Sequence, residues 1–118
     1  MSEIIVDQIM KKPVYTVKKG TVVAEALEIM REKGVKKILV KADDKLMGVL
    51  ESWKILRADL EKKVEDLELS QVKEVPVGTK LSDIESDLLK YPAIYIYKPD
   101  KPNDPVGVIT AYDLARAY

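Results

Sequence analysis

The stretch "GVITAYDL" at residues 107–114 has an imperfect twin, "GVLESWKI", at residues 48–55. Both open on glycine and a branched apolar run, the pattern of a buried strand, and both pass into a polar segment that reads as the first turn of a helix. The polar letters differ, since Thr110 and Asp113 stand where the first copy has Glu51 and Lys54. A shift of 58 places sets "VDQIMKKPVYTVKKGTVV" (6–23) on "VEDLELSQVKEVPVGTKL" (64–81) without a gap. Val6 meets Val64, Ile9 meets Leu67, Val14 meets Val72, Val17 meets Val75, and Gly20-Thr21 meets Gly78-Thr79. The offset becomes 59 at Gly48 and Gly107, as small length changes in the loops would produce. The chain is a duplication of about sixty residues.

Each half predicts the same series of elements. A short helix at 5–11 or 64–70 is followed by an extended piece at Val14–Val17 or Val72–Val75. Thr21 and Thr79 then stand as N-caps before helices at 22–33 and 80–90, with apolar residues Val23, Leu27 and Met30 or Leu81, Ile84 and Leu88 at helical spacing. Gly34 and Pro92 stop them. "KILVK" and "AIYIY" read as strands that pair with "LMGVL" and "PVGVI" in hairpins, and a last helix closes each half. The second hairpin loop, "KPDKPNDP", carries three prolines and is expected to be the longer and stiffer.

Composition narrows the function. A chain of 118 residues predicts one compact domain with one core. Lysine plus arginine balance aspartate plus glutamate at 20 each, so no global field favours nucleic acid, and nucleic-acid binding is not expected. The absence of cysteine and histidine removes disulfides, thiolate chemistry, tetrahedral zinc sites and imidazole bases. No Gly-rich phosphate loop and no nucleophile with its base is present, so the expectation is a protein that is not an enzyme and needs no cofactor or metal. The apolar runs are too short for a bilayer, and "MSEIIVDQIM" carries acids where a signal peptide would be basic. A cytoplasmic chain without membrane association is expected.

The order strand, helix, strand, strand, helix, written twice with the "GV" turn, resembles the CBS-domain pair, or Bateman module, over nearly the whole chain. The resemblance implies an α+β fold in which two motifs, 6–61 and 62–118, pack sheet to sheet with pseudo-twofold symmetry as a single module. It also implies regulation through adenosine-containing ligands, AMP, ADP, ATP or S-adenosylmethionine, held in clefts between the motifs. A hydroxyl at the start of a helix suits a phosphate, and an aspartate three residues on accepts from both ribose hydroxyls. Thr110 and Asp113 keep those roles, whereas Glu51 would repel a phosphate and Lys54 accepts no proton. One working cleft is therefore expected, not two.

By position in the resembled family, the base lies against the extended segment of the other repeat, here Val14, Tyr15 and Thr16. Further walls come from Val35, Lys36, Lys37, Val108 and Tyr112, and Arg116 lies one turn beyond Asp113. Pro92 and Ala93 stand where the family often has a histidine or arginine, which favours a monophosphate or an uncharged adenosyl tail over a triphosphate. Thr110 and Asp113 also form a [ST]xx[DE] capping box that needs no ligand. Lys54 and Glu51, three apart at a helix start, read as a solvated pair, and Trp53 as a cleft wall or core residue. The helix at 22–33 carries apolar residues over more than one face, which predicts a homodimer. The alternative to the sensor is a ligand-free structural module that dimerises or engages an unidentified protein partner.

Overall fold

In the unit formed by Tyr15–Gln71, strand β2 (Lys37–Ala42) lies between β1 (Thr16–Lys18), which it pairs in parallel, and β3 (Lys45–Glu51), which it pairs antiparallel. The computed structural model describes residues 3–118. Val17 is opposite Val40 and Leu39 opposite Val49, so the branched residues that favour a pleated surface also fix the register. Helix α1 (Val23–Lys33) connects β1 to β2 as a parallel pair requires. Val23, Ala26 and Met30 recur along one side of α1 and are buried against Val17, Ile38, Val40, Leu50 and Val64. The helix ends at Gly34, whose left-handed φ of 66° a side chain would disfavour; its N–H bonds the Arg31 carbonyl, and the Val35 N–H bonds that of Met30.

The second unit joins the segment ending at Val14 to Val72–Tyr118. It repeats the sheet with β4 (Lys73–Pro76), β5 (Ile94–Tyr97) and β6 (Gly107–Ile109), parallel and then antiparallel. Helix α2 (Ala111–Ala117) follows β6 directly. Its core is Val6, Val75, Leu81, Ile84, Leu88, Ile94, Ile96 and Ile109. The fold is α+β in both units. The hairpin connection is Asp43-Asp44 in the first unit and runs from Lys98 to Val106 in the second.

The compact units cut the chain differently from the repeat. The segment before Val14 packs on the second repeat: the Val6 N–H bonds Thr79 O, the Leu81 N–H bonds Ile4 O, and Lys11 and Val108 exchange both backbone bonds at 2.9 and 3.1 Å. Residues 62–70 do the same for the first repeat, through Val23 N–H to Lys62 O, Val64 N–H to Thr21 O, and a reciprocal pair between Val49 and Ser70 at 2.9 Å each. Carboxylates complete the match, since the Gly20 N–H donates to Glu65 and the Gly78 N–H to Asp7. Val6 and Val64 thereby enter cores of the opposite repeat. The one core expected from length is two clusters among the described residues, because each repeat lends its first segment away.

Several expected helices are shorter. Residues 5–11 and 64–70 hold single 3-10 turns at Val6–Gln8 and Val64–Asp66. The helix expected at 80–90 is two 3-10 turns, Leu81–Asp83 and Asp87–Leu89. Ser82, Asp83, Ser86 and Asp87 are poor helix-interior residues whose side chains compete for the backbone, where α1 has Ala24, Glu25, Glu28 and Ile29. Thr21 and Thr79 do not cap: the N-cap positions fall one residue later, at Val22 and Lys80, and the Thr79 hydroxyl donates to Pro76 O. The closing helix of the first repeat is also broken into 3-10 turns, Ser52–Lys54 and Arg57–Asp59. Asp113 accepts the Thr110 N–H and so starts α2, whereas Lys54 at the matching place has no acceptor to start a helix on Glu51.

Candidate functional site

The turn between β6 and α2 gathers Thr110, Asp113, Tyr112, Arg116 and Lys11. Asp113 has its side chain wholly out of solvent. Its Oδ2 accepts the Thr110 N–H at 2.9 Å and the Thr110 hydroxyl at 3.1 Å. Its Oδ1 faces Lys11 Nζ at 3.2 Å and Arg116 at 3.3 Å, two cations whose side chains are about half exposed. The carboxylate therefore has its roughly four acceptor positions in use. Tyr112 is 67% exposed. Lys11 Nζ and Arg116 Cζ lie 5.4 and 5.7 Å from its ring centroid, within the range of cation–π attraction. The combination offers an exposed ring, two half-exposed cations and, beneath them, a buried carboxylate.

The matching turn of the first repeat is closed. Glu51 is buried, with Oε2 accepting the Ser70 hydroxyl at 2.6 Å and facing Lys54 Nζ at 3.2 Å, while Oε1 accepts the Trp53 indole N–H at 3.1 Å. Burial pushes this carboxyl up, but the Ser70 hydroxyl, the Trp53 N–H and the Lys54 ammonium outweigh it and hold it below the ordinary glutamate range. The Glu51–Lys54 pair expected in solvent is thus a buried carboxylate with a partly covered lysine. The reason is Ser70, which arrives on the crossing segment. Trp53, expected as a cleft wall or core residue, is 74% exposed and carries Lys54 Nζ 5.4 Å from its ring centroid.

The remaining expected contact residues fall in both units. Val108 is half-buried in β6 opposite Tyr95, and the half-buried Val14 ends the segment that joins the same unit. Tyr15, Thr16, Val35, Lys36 and Lys37 belong to the other unit. There the Tyr15 carbonyl accepts the Leu39 N–H at 3.2 Å, and Thr16 opens β1 opposite Leu39. The Tyr15 ring packs on that unit's core with Lys33 Nζ 5.8 Å from its centroid. Val35 is half-buried, Lys36 is exposed while its carbonyl accepts the Ser52 N–H, and Lys37 stands opposite Glu51 in the β2–β3 register. Lys11 and Ser70 went unnoticed in the sequence, because their positions beside the turns depend on pairing across the duplication. An open groove of about 500 Å³ flanks α1, lined mainly by Ala24, Leu27, Met30, Val35 and Leu60. Leu27 and Ile29 are half-buried on their own core, which accounts for much of the second apolar face of α1.

Among the described residues no group of three or more carboxylates could hold a metal ion, and no helix is long and apolar enough to cross a membrane. The family model of the CBS domain matches residues 6–61. A homoserine O-acetyltransferase of Methanohalobium evestigatum is 30% identical over 98% of this chain, and the chain spans 24% of that relative's length. Among solved structures, the CBS-domain pair of protein MJ0100, in complex with 5'-methylthioadenosine and S-adenosyl-L-methionine, superposes with a TM-score of 0.82 at 20% identity, over 98% of this chain and 96% of that one. A hemolysin-like protein containing a CBS domain, from Oenococcus oeni, gives a TM-score of 0.81 at 20% identity, over 97% of this chain and 89% of that one.

Proposed function

This chain belongs with the CBS-domain pair proteins, by the family match to residues 6–61 and by the fold of the whole, and from that premise we propose that it is a regulatory module that binds an adenosine-containing ligand at the Thr110–Asp113 turn. The observation that carries the reading is the contrast between the two turns. One presents a threonine and an aspartate under two half-exposed cations and an exposed ring, and the other is sealed around Glu51 by Ser70, Trp53 and Lys54. Asp113 supplies an acceptor for a ribose hydroxyl once a cation leaves its carboxylate, and Thr110 with Asp113 makes no nucleophile with a base, so the role is sensing rather than catalysis. The MJ0100 pair, solved with two adenosyl compounds, supports the ligand class, and the acetyltransferase relative is the kind of protein such a module would regulate. Self-association into a homodimer along the open groove beside α1 belongs to the same proposal, and a single-chain mass by light scattering at tens of micromolar would remove it.

A second reading is favoured by the filled acceptor positions of Asp113. If the carboxylate serves only to start α2 and hold Lys11, the chain is a ligand-free module that works through a protein partner. A thermal-shift panel of AMP, ADP, ATP, S-adenosylmethionine, 5'-methylthioadenosine and GTP separates the two. Ligand at 100 times its Kd adds about 2.7 kcal/mol of stability, several degrees for a domain of this size. A rise with an adenosyl compound and not with GTP supports the sensor; a flat panel leaves the partner module.

A further inference from the structure

We infer that Lys11 sets ligand specificity at this turn: it occupies the Asp113 carboxylate when the site is empty, and on binding it transfers its charge to an anionic group on the ligand, so that phosphorylated adenosine is selected over neutral adenosyl compounds. The inference rests on the sensor reading above and names the ligand class for it. Both oxygens of Asp113 are engaged within the unit, and the two bonds to Oδ2 come from Thr110 itself. A ribose diol can only reach Oδ1, which Lys11 and Arg116 hold at 3.2 and 3.3 Å. Arg116 is tied to the same helix as Asp113, three residues on, while Lys11 arrives from a separate segment that is held on β6 by the Lys11–Val108 backbone bonds and by Met10 against Gly107, neither of which uses the Lys11 side chain. Lys11 is thus the group that can leave without disturbing the turn.

Charge then decides which ligand can displace it. A neutral ligand exchanges a charge-assisted bond to a fully buried carboxylate for an ordinary hydroxyl bond, and the carboxylate loses pairing. An anionic ligand gives the displaced ammonium a new partner a few ångströms away, so the ion pair is replaced rather than lost. The two cations around one carboxylate leave one positive charge in excess for that purpose. Thr110 cannot fill the role, because its hydroxyl proton is already given to Asp113 Oδ2 and a phosphate offers no proton in return. Lys11 takes over the phosphate contact that the resemblance assigned to Thr110, while Arg116 stays with Asp113.

Titration calorimetry with AMP, adenosine and 5'-methylthioadenosine on the wild type, Lys11→Met and Lys11→Arg tests this. The wild type should bind AMP about tenfold or more tighter than adenosine, the ratio of one charge-assisted bond. Lys11→Met should bring the ratio close to one by weakening AMP and strengthening adenosine and methylthioadenosine, and Lys11→Arg should restore the preference. Equal affinity for AMP and adenosine in the wild type, or a ratio unmoved in Lys11→Met, overturns the inference while leaving the sensor reading intact. No binding of any of the three to any variant overturns both, and a far-ultraviolet spectrum like the wild type's shows that each variant folds.

Discussion

Gly48→Ala strikes at the seating of residues 62–70 on the first repeat. A methyl carbon added at Gly48 lies 2.5 Å from Leu69 Cβ, 3.1 Å from the Ser70 carbonyl oxygen and 3.2 Å from Leu69 Cδ1. Carbons rest at about 3.5–4.0 Å, so the first overlap alone is about 1 Å. Leu69 Cβ and the Ser70 oxygen move only with the backbone, and that backbone is clamped by the reciprocal Val49–Ser70 bonds. A rotamer change gives no relief, and overpacking of this kind costs about 1–3 kcal/mol. For a chain of 118 residues, about 4 °C is lost per kcal/mol, so the midpoint should fall by about 4–12 °C. Scanning calorimetry gives the midpoint, and a urea titration with unchanged slope shows that the effect is on stability and not on compactness. The matching Gly107→Ala meets Met10 Sδ and Cγ, with Met10 Cβ at 2.9 Å. Most of that obstacle is a flexible side chain, so its loss should be the smaller of the two. A Gly48→Ala midpoint within about 1 °C of wild type would refute the close approach and with it the seating of the segment.

Removing the Ser70 hydroxyl should cost about 1–2 kcal/mol, the range for a hydrogen bond to a charged group that a neighbouring lysine partly replaces. In Ser70→Ala the Glu51 carboxyl should also titrate at higher pH, read by carbon-13 shifts of the side chain. Acid should destabilise the protein through Glu51, Asp59 and Glu65. Burial opposes ionisation of Glu51, but Ser70, Trp53 and Lys54 prevail. The Leu56 N–H and Lys62 lower Asp59, and the N–H groups of Glu65 itself and Gly20 lower Glu65. A carboxyl whose folded value is depressed contributes its stability above the unfolded value and loses it as pH falls through the folded one. Urea midpoints should therefore hold from neutrality to about pH 5 and decline below about pH 4; a midpoint that rises on acidification would contradict the partners assigned to these three carboxylates.

The duplication, the strand order and α1 were legible in the sequence because each rests on local pattern: branched residues at Ile38–Val40 and Ile94–Ile96, and Val23, Leu27 and Met30 at helical spacing, of which the structure buries Val23 and Met30 with Ala26 and leaves Leu27 half-buried. Thr110 and Asp113 were legible because a capping box is a contact over three residues. Leu81, Ile84 and Leu88 also have helical spacing, yet 3-10 turns bury them as well, and only the serines and aspartates between them argued against a helix. Lys11, Ser70 and the two cores were not legible. Each depends on a segment of one repeat lying against the other, a pairing that no spacing within either half records. The glycines of the twin motif held a clue to it, since both mark the places where a crossing segment approaches the strand.

The difference between the two turns can be read in one number, the stoichiometry of an adenosyl ligand by titration calorimetry on the wild type and on Asp113→Asn, which keeps an acceptor for the Thr110 N–H while giving up the charge. One ligand per chain in the wild type, with affinity lost in Asp113→Asn and retained in Glu51→Gln, is the result expected of a single site at the Thr110–Asp113 turn. Two ligands per chain, or one whose affinity follows Glu51 and ignores Asp113, would contradict it.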